Sequence, residues 1–372
     1  MKNKSKRILI YKARNLLGSS GGIERIVSWL ANGLADKGYE VYIATRDSNK
    51  GDFFFPLSNN INFKHFDPKF SKIKRLIGKI FGKRFAFCDR ELHYSKMLRQ
   101  YCDEIKPDII IATGVKDLQD IVYYNPYPCH KVLQLHSAPE YLFANTSNDL
   151  KDVVGKADTV QVLLKSFVKD IKPLAKGNVV VIGNPIDEND LIAKREKIII
   201  YAARVEPSKQ HHVLIEAFTQ IAKHYPEWQV HFYGGIGNKK YFDKCLETIE
   251  NNNLQDIIIF KGVTKELTKK YAEASICGFV SAQEGFGMAL AESMAAGLPC
   301  IGFKYAVGVN ELIKHDKNGY LAKDTNDFAK YLRKLIDDEK LREKFGAQGK
   351  KDIEVYNPAL ILSQWEDIVA GV

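Results

Sequence analysis

A glycine-bearing turn between an apolar run and a helix constrains this chain more than any other stretch. SICGFVSA, residues 275–282, has the length and composition of a buried parallel strand, and MALAESMAA, residues 288–296, is rich in strong helix formers. Gln283, Glu284, Gly285, Phe286 and Gly287 join them, and Gly297 with Pro299 stops the helix. Strand, turn and helix in this order form the repeating unit of a parallel α/β sheet. The glycines let a ligand come close to the backbone, and the first amides of a helix, which lack internal partners, suit an anion such as phosphate. Glu284 and Glu292 stand eight positions apart, one ahead of the helix and one about two turns into it, so they reach different parts of one ligand. Beside a diphosphate, both carboxylates must bond to sugar or ribose hydroxyls and leave the phosphates to amides and cations. On spacing alone, a helix-capping Glu284 and a solvated Glu292 are a sufficient account.

The same order recurs along the chain. RILIYKARN is a strand, followed by a glycine loop with Gly18, Gly21 and Gly22, a helix with Ile26, Leu30 and Leu34 on one face, and the strand VYIAT. The glycines do not form G-x-G-x-x-G, so a dinucleotide site is a poor match, and a plain tight turn explains them equally. PDIIIAT and HKVLQLH are further buried strands, and His136 stands at the carboxyl end of the second, the edge where open α/β sheets bind ligands. KIIIYAARVEPSKQHHVLIEAFTQIA restarts the pattern, with Arg204 and Lys209 in its loop. Two such cations can stabilise the charge on a departing diphosphate or simply be solvated. At 372 residues the chain has room for two domains, divided near residue 185.

Composition bounds the class. Hydrophobic content of 45% and charged content of 27% are those of a globular protein, and no run approaches a membrane span or signal peptide, so a cytoplasmic location is expected. The six cysteines lack C-x-x-C spacing, so neither zinc nor a disulfide framework is expected. No D-x-D occurs, so no metal clamp on a diphosphate is expected, and no cofactor is implied. The formal charge of +10 is concentrated: residues 64–90 hold nine Lys or Arg against two Asp. Within this region, residues 70–87 set Phe70, Ile73, Leu76, Ile77, Ile80 and Phe81 on one side of a helical wheel and Lys72, Arg75, Lys79 and Lys83 on the other. Such a helix suits an anionic membrane surface, although an ordinary helix with its apolar face in the core has the same pattern. No nucleic-acid motif accompanies the basic region, so no nucleic-acid partner is expected.

EGFGMALAE with SMAAGLPCIGF closely resembles the E-x7-E signature of the retaining glycosyltransferases of family 4, and GGIER, HSAPE, GNPID, ARVEPSKQ and AVGVNELIKHDKNGYLA resemble further segments of that family. ARVEPSKQ differs from the family's G-R-x-x-x-x-K loop in having Ala203 for the first glycine. The resemblance implies the GT-B fold: a Rossmann-like acceptor-binding domain over residues 1–185, a Rossmann-like nucleotide-sugar domain over residues 186–357, and a helix at residues 358–372 crossing back to the first, with Trp365 as anchor. It implies transfer of a sugar, from UDP in particular, to a glycan or lipid-linked glycan with retention of configuration, in cell-surface polysaccharide or lipopolysaccharide assembly. Glu284, Arg204, Lys209 and His136 would be catalytic, with Glu284 and His136 against the donor sugar and the cations at the diphosphate. Gly21, Gly22, Gly235, Val263, Phe286, Gly287, Met288 and Glu292 would bind the donor, Glu292 at the ribose and Val263 at the base. A nucleotide-sugar epimerase of the same fold and a non-catalytic two-domain sugar-binding protein are the rival readings. An epimerase would release nucleotide without any acceptor, and a binding protein would turn nothing over.

Overall fold

The computed structural model describes residues 5–49, 51–66, 71–81, 89–144 and 148–372. Two compact units divide the chain: Met1–Gly183 with Ile361–Val372, and Asn184–Leu360.

The first unit is built on a seven-stranded parallel sheet. Its strands are β1 (Arg7–Tyr11), β2 (Glu40–Thr45), β3 (Asn62–His65), β4 (Ile109–Ala112), β5 (His130–Gln134), β6 (Thr159–Val162) and β7 (Asn178–Val181). They lie in the order β3-β2-β1-β4-β5-β6-β7. Ile8, Leu9, Ile10 and Tyr11 are fully buried, as expected of a strand covered on both faces. β3 carries no sequence signal of its own, because NFKH is largely exposed at the sheet edge. The C-terminal helix Pro358–Ala370 adds Trp365, 2% exposed, to this unit, and its Leu362 lies against Gly33 of the helix Gly22–Asp36. Lys6 Nζ donates to the carbonyls of Val369 and Ala370 at 2.8 and 3.0 Å, so a cation closes the helix end where its last carbonyls lack internal partners.

The second unit repeats the plan with β8 (Ile198–Ala202), β9 (Gln229–Tyr233), β10 (Ile258–Gly262), β11 (Ile276–Gly278), β12 (Cys300–Phe303) and β13 (Gly319–Ala322). All neighbours are parallel, in the order β10-β9-β8-β11-β12-β13. The apolar run 275–282 forms only three residues of regular strand. Phe279 still donates to Ile301 O at 2.8 Å, but Ala282 N turns to Ser208 O at 3.3 Å, so the loop after β8 captures the backbone of the run.

In each sheet the strand order reverses once, between β1 and β4 and between β8 and β11. Connections leave in opposite directions on either side of such a point and open a crevice at the carboxyl ends of the strands. The two units are therefore doubly wound Rossmann-like sheets.

The basic segment is a helix over Lys72–Phe81, and Phe70 and residues 82–87, Lys83 among them, lie outside the described residues. Its apolar side does not enter the core: Ile73, Leu76, Ile80 and Phe81 are 69%, 59%, 65% and 62% exposed. No described helix is long and apolar enough to cross a membrane.

Candidate functional site

The crevice of the second sheet is lined by the loops after β8 and β11, and these loops meet through their side chains. Lys209 ends a short turn, Pro207–Lys209, after β8 and points its Nζ at Glu284 Oε1, 2.8 Å away. Both side chains are mostly buried, so water screens the pair less than it would at the surface. Their backbones are held as well. The buried Tyr201 of β8 donates its hydroxyl to Lys209 O at 2.8 Å, and Glu284 N donates to Val307 O at 2.9 Å. Burial first, and then the charge of Glu284, pushes the Tyr201 hydroxyl far above its ordinary pKa, which keeps it a neutral donor. Gly308, at φ +86°, lies so close that a Cβ would come within 2.5 Å of Glu284 O; only a glycine admits this approach. Beneath the loop, burial lowers the His211 imidazole to about 4, so it packs as a neutral ring 5.0 Å from Tyr201.

Arg204 occupies another part of the same loop. Its side chain is 67% exposed, 3.9 Å from Glu206, and its stem rests over Gly237. Val263, 79% exposed, adjoins Gly235, where a Cβ would lie 3.5 Å from Val263 Cγ2. Gly287 precedes the helix Met288–Ala295 in the left-handed region, φ +82°, and turns the chain from Glu284 into the first helical amides. Met288, half-buried, opens that helix, whereas the Phe286 side chain is buried edge-on against Tyr356 at 4.8 Å and offers a ligand only its backbone. Glu292 is half-buried on the same helix. Burial, and then its charge, holds the Tyr271 hydroxyl far above the ordinary range. No group of three or more His, Cys, Asp or Glu among the described residues is arranged to hold a metal.

In the first unit, Gly21 precedes the helix Gly22–Asp36, and Gly22 is its exposed first residue. Glu24 in its first turn is buried and pairs with Lys12, the residue after β1, at 3.2 Å. His136 lies two residues beyond β5. Its Nε2 is closed off from solvent without a hydrogen-bond partner, and burial, with Lys12 second, lowers the ring to about 3, so it is a neutral imidazole. Sequence patterns did not mark the Lys12–Glu24 pair, or the contact of Arg46 with Asp120 at 2.7 Å, which Tyr11 Oη joins at 2.9 Å. The available signal was position, since Lys12 and Arg46 directly follow β1 and β2.

Residues 184–352, nearly the whole second unit, match the family model for glycosyl transferases group 1. The chain is 25% identical over 371 residues to an amylovoran biosynthesis glycosyltransferase of Erwinia amylovora, covering 95% of this chain and 97% of that one. It is 24% identical over 370 residues to a Campylobacter jejuni α-1,4-N-acetyl-D-galactosaminyltransferase named for a diphospho-undecaprenol-linked glycan, covering 95% and 96%. The crystal structure of Anabaena HepE in complex with UDP and glucose superimposes with a TM-score of 0.76 at 18% identity, covering 99% of this chain and 100% of that one.

Proposed function

Because the chain is a glycosyltransferase of the GT-B type, we propose that it moves a sugar from a nucleoside diphosphate sugar, in particular a UDP-sugar, to a glycan or lipid-linked glycan, with retention of configuration. Cell-surface polysaccharide or lipopolysaccharide assembly is the setting that the names of the relatives support.

The observation that carries the reading is the Lys209–Glu284 contact at the crevice of the second sheet, beside the start of the helix Met288–Ala295. The second unit, on this reading, is the donor domain and the first the acceptor domain. An arriving donor separates the pair: its hydroxyls take Glu284 and its diphosphate takes Lys209, with Arg204 and the amides following Gly287 completing the anion site. Glu292 meets the ribose, Gly235 and Val263 the base, and Met288 and the backbone of Phe286 the diphosphate side. The leaving diphosphate carries the growing negative charge, and fixed cations stabilise it without reorganising.

A thermal-shift series of nucleoside diphosphate sugars tests this. A preferred donor raises the melting temperature by mass action, and a series in which none does overturns the donor site. Because cations and amides hold the diphosphate, turnover of that donor persists in excess chelator. An absolute need for Mg²⁺ or Mn²⁺ would put the leaving group elsewhere.

The exposed apolar side of the helix Lys72–Phe81 and its lysines support peripheral attachment to the cytoplasmic face of an anionic membrane. Each nearby Lys or Arg contributes roughly 1 kcal/mol to such binding. Replacing Lys72, Arg75, Lys79 and Lys83 together by Glu is expected to abolish sedimentation with anionic liposomes while leaving the melting temperature unchanged. Unaltered, salt-sensitive sedimentation would remove the membrane from the proposal.

A further inference from the structure

The crevice of the first sheet holds a cavity of about 430 Å³, lined by residues that follow β1, β2 and β4 and by the start of the helix Arg90–Ile105. Its charged groups are Lys12, Arg14, Arg46, Arg90 and Lys116 against Glu91, Asp117 and Asp120. Internal bonds occupy several of these. Asp120 accepts from Arg46 and Tyr11, at 2.7 and 2.9 Å. Asp117 accepts from Thr113 Oγ1 at 2.7 Å and from Ala13 N at 3.1 Å, and Lys12 pairs with Glu24. The side chains of Arg14 and Lys116 are exposed and make no hydrogen bond or ion pair among the described residues; that of Arg90 leans toward the Tyr94 ring, 5.9 Å away. The helix Val115–Val122 begins at Gly114 with no side-chain cap, so the positive end of an eight-residue helix adds to the cations.

Three cationic heads remain at the crevice of a doubly wound sheet, opposed by Glu91 and by Asp117, whose bonds are to neutral donors, so the lining keeps an excess of positive charge. We propose that this cavity binds a phosphate group of the acceptor, with Arg14, Arg90 and Lys116 as its ligands; the inference rests on the reading of the first unit as the acceptor domain. Guanidinium groups grip phosphate through paired N–H donors, and a phosphate diester or diphosphate keeps its negative charge at every physiological pH. A neutral glycan would leave this excess unanswered. Two kinds of acceptor carry this chemistry: a lipid-linked diphosphate and a soluble polyol phosphate.

Calorimetric titration of the full chain, already saturated with UDP, separates this site from the donor site. Inorganic pyrophosphate stands for the lipid-linked diphosphate and glycerol 3-phosphate for the polyol phosphate, and the tighter of the two identifies the source. The proposal expects saturable binding of at least one, weakened tenfold or more in Arg14→Ser/Lys116→Ser with UDP affinity and melting temperature unchanged. Both positions are exposed, so the variant keeps the packing of the unit; Lys116→Glu alone supplies a second variant expected to weaken the same ligand. Absence of binding by both probes, or binding that either variant leaves intact, overturns the phosphate site. Failure of UDP to bind at all overturns the donor reading instead, and the pyrophosphate titration then still reports on this cavity.

Discussion

Lys209→Ala is expected to lower kcat by a factor of about 100 or more, because a preorganised charge at the departing diphosphate contributes roughly 3 kcal/mol to the transition state. Arg204→Ala is expected to act in the same direction by a comparable factor. The two differ in their starting points. Lys209 is bonded to Glu284 and anchored through Tyr201, so its position is set before the donor arrives. Arg204 is largely exposed and has to be drawn in from over Gly237. Part of its contribution is therefore spent on ordering a flexible side chain. Single-turnover rates with the preferred donor measure both. A variant that raises KM while keeping kcat would mean that its cation binds ground and transition states alike and has no role at the leaving group.

Glu284→Gln is expected to move donor transfer and free-nucleotide binding in opposite directions. The amide keeps the shape of the carboxylate but loses its charge-assisted bond to a sugar hydroxyl, which costs about 1.5–3 kcal/mol, or roughly 10- to 100-fold in kcat/KM. Free UDP has no sugar to lose. In the wild-type chain UDP competes with Glu284 for Lys209, and removing that competitor, a contribution of about 1 kcal/mol for a partly screened pair, tightens UDP roughly fivefold. Glu292→Ala, by contrast, weakens donor and UDP together, since a ribose is common to both. Equilibrium titrations of the two variants with UDP and with the donor sugar decide the matter. If Glu284→Gln weakens UDP as much as donor sugar, this carboxylate does not read the sugar, and the central assignment of the site fails.

The sequence by itself determined the local order of the chain. Apolar runs such as RILIY and KIIIY, each followed by a glycine- or cation-bearing loop and an amphipathic helix, specify parallel strands covered on both faces, because a strand with no polar face has no other stable environment. The stop at Gly297, left-handed at φ +72°, was legible for the same reason: it depends on neighbours a few residues away.

Tertiary structure decided what depends on distance along the chain. Nothing in the spacing of Lys209 and Glu284, 75 residues apart, indicates that they form an ion pair; β8 and β11 become neighbours only through the reversal of strand order, and that reversal brings their loops together. The helix Lys72–Phe81 has a pattern equally suited to core or surface, and only folding left its apolar side outside. Phe286 lies inside the most informative motif of the chain, yet its ring belongs to the packing around Tyr356. The cavity of the first sheet left no trace in the sequence, because Arg14, Arg90 and Lys116 lie on three separate segments and each alone is an ordinary surface cation. Local propensity acts over a few residues, whereas a binding site is assembled from loops that only the assembled sheet brings within reach of one another.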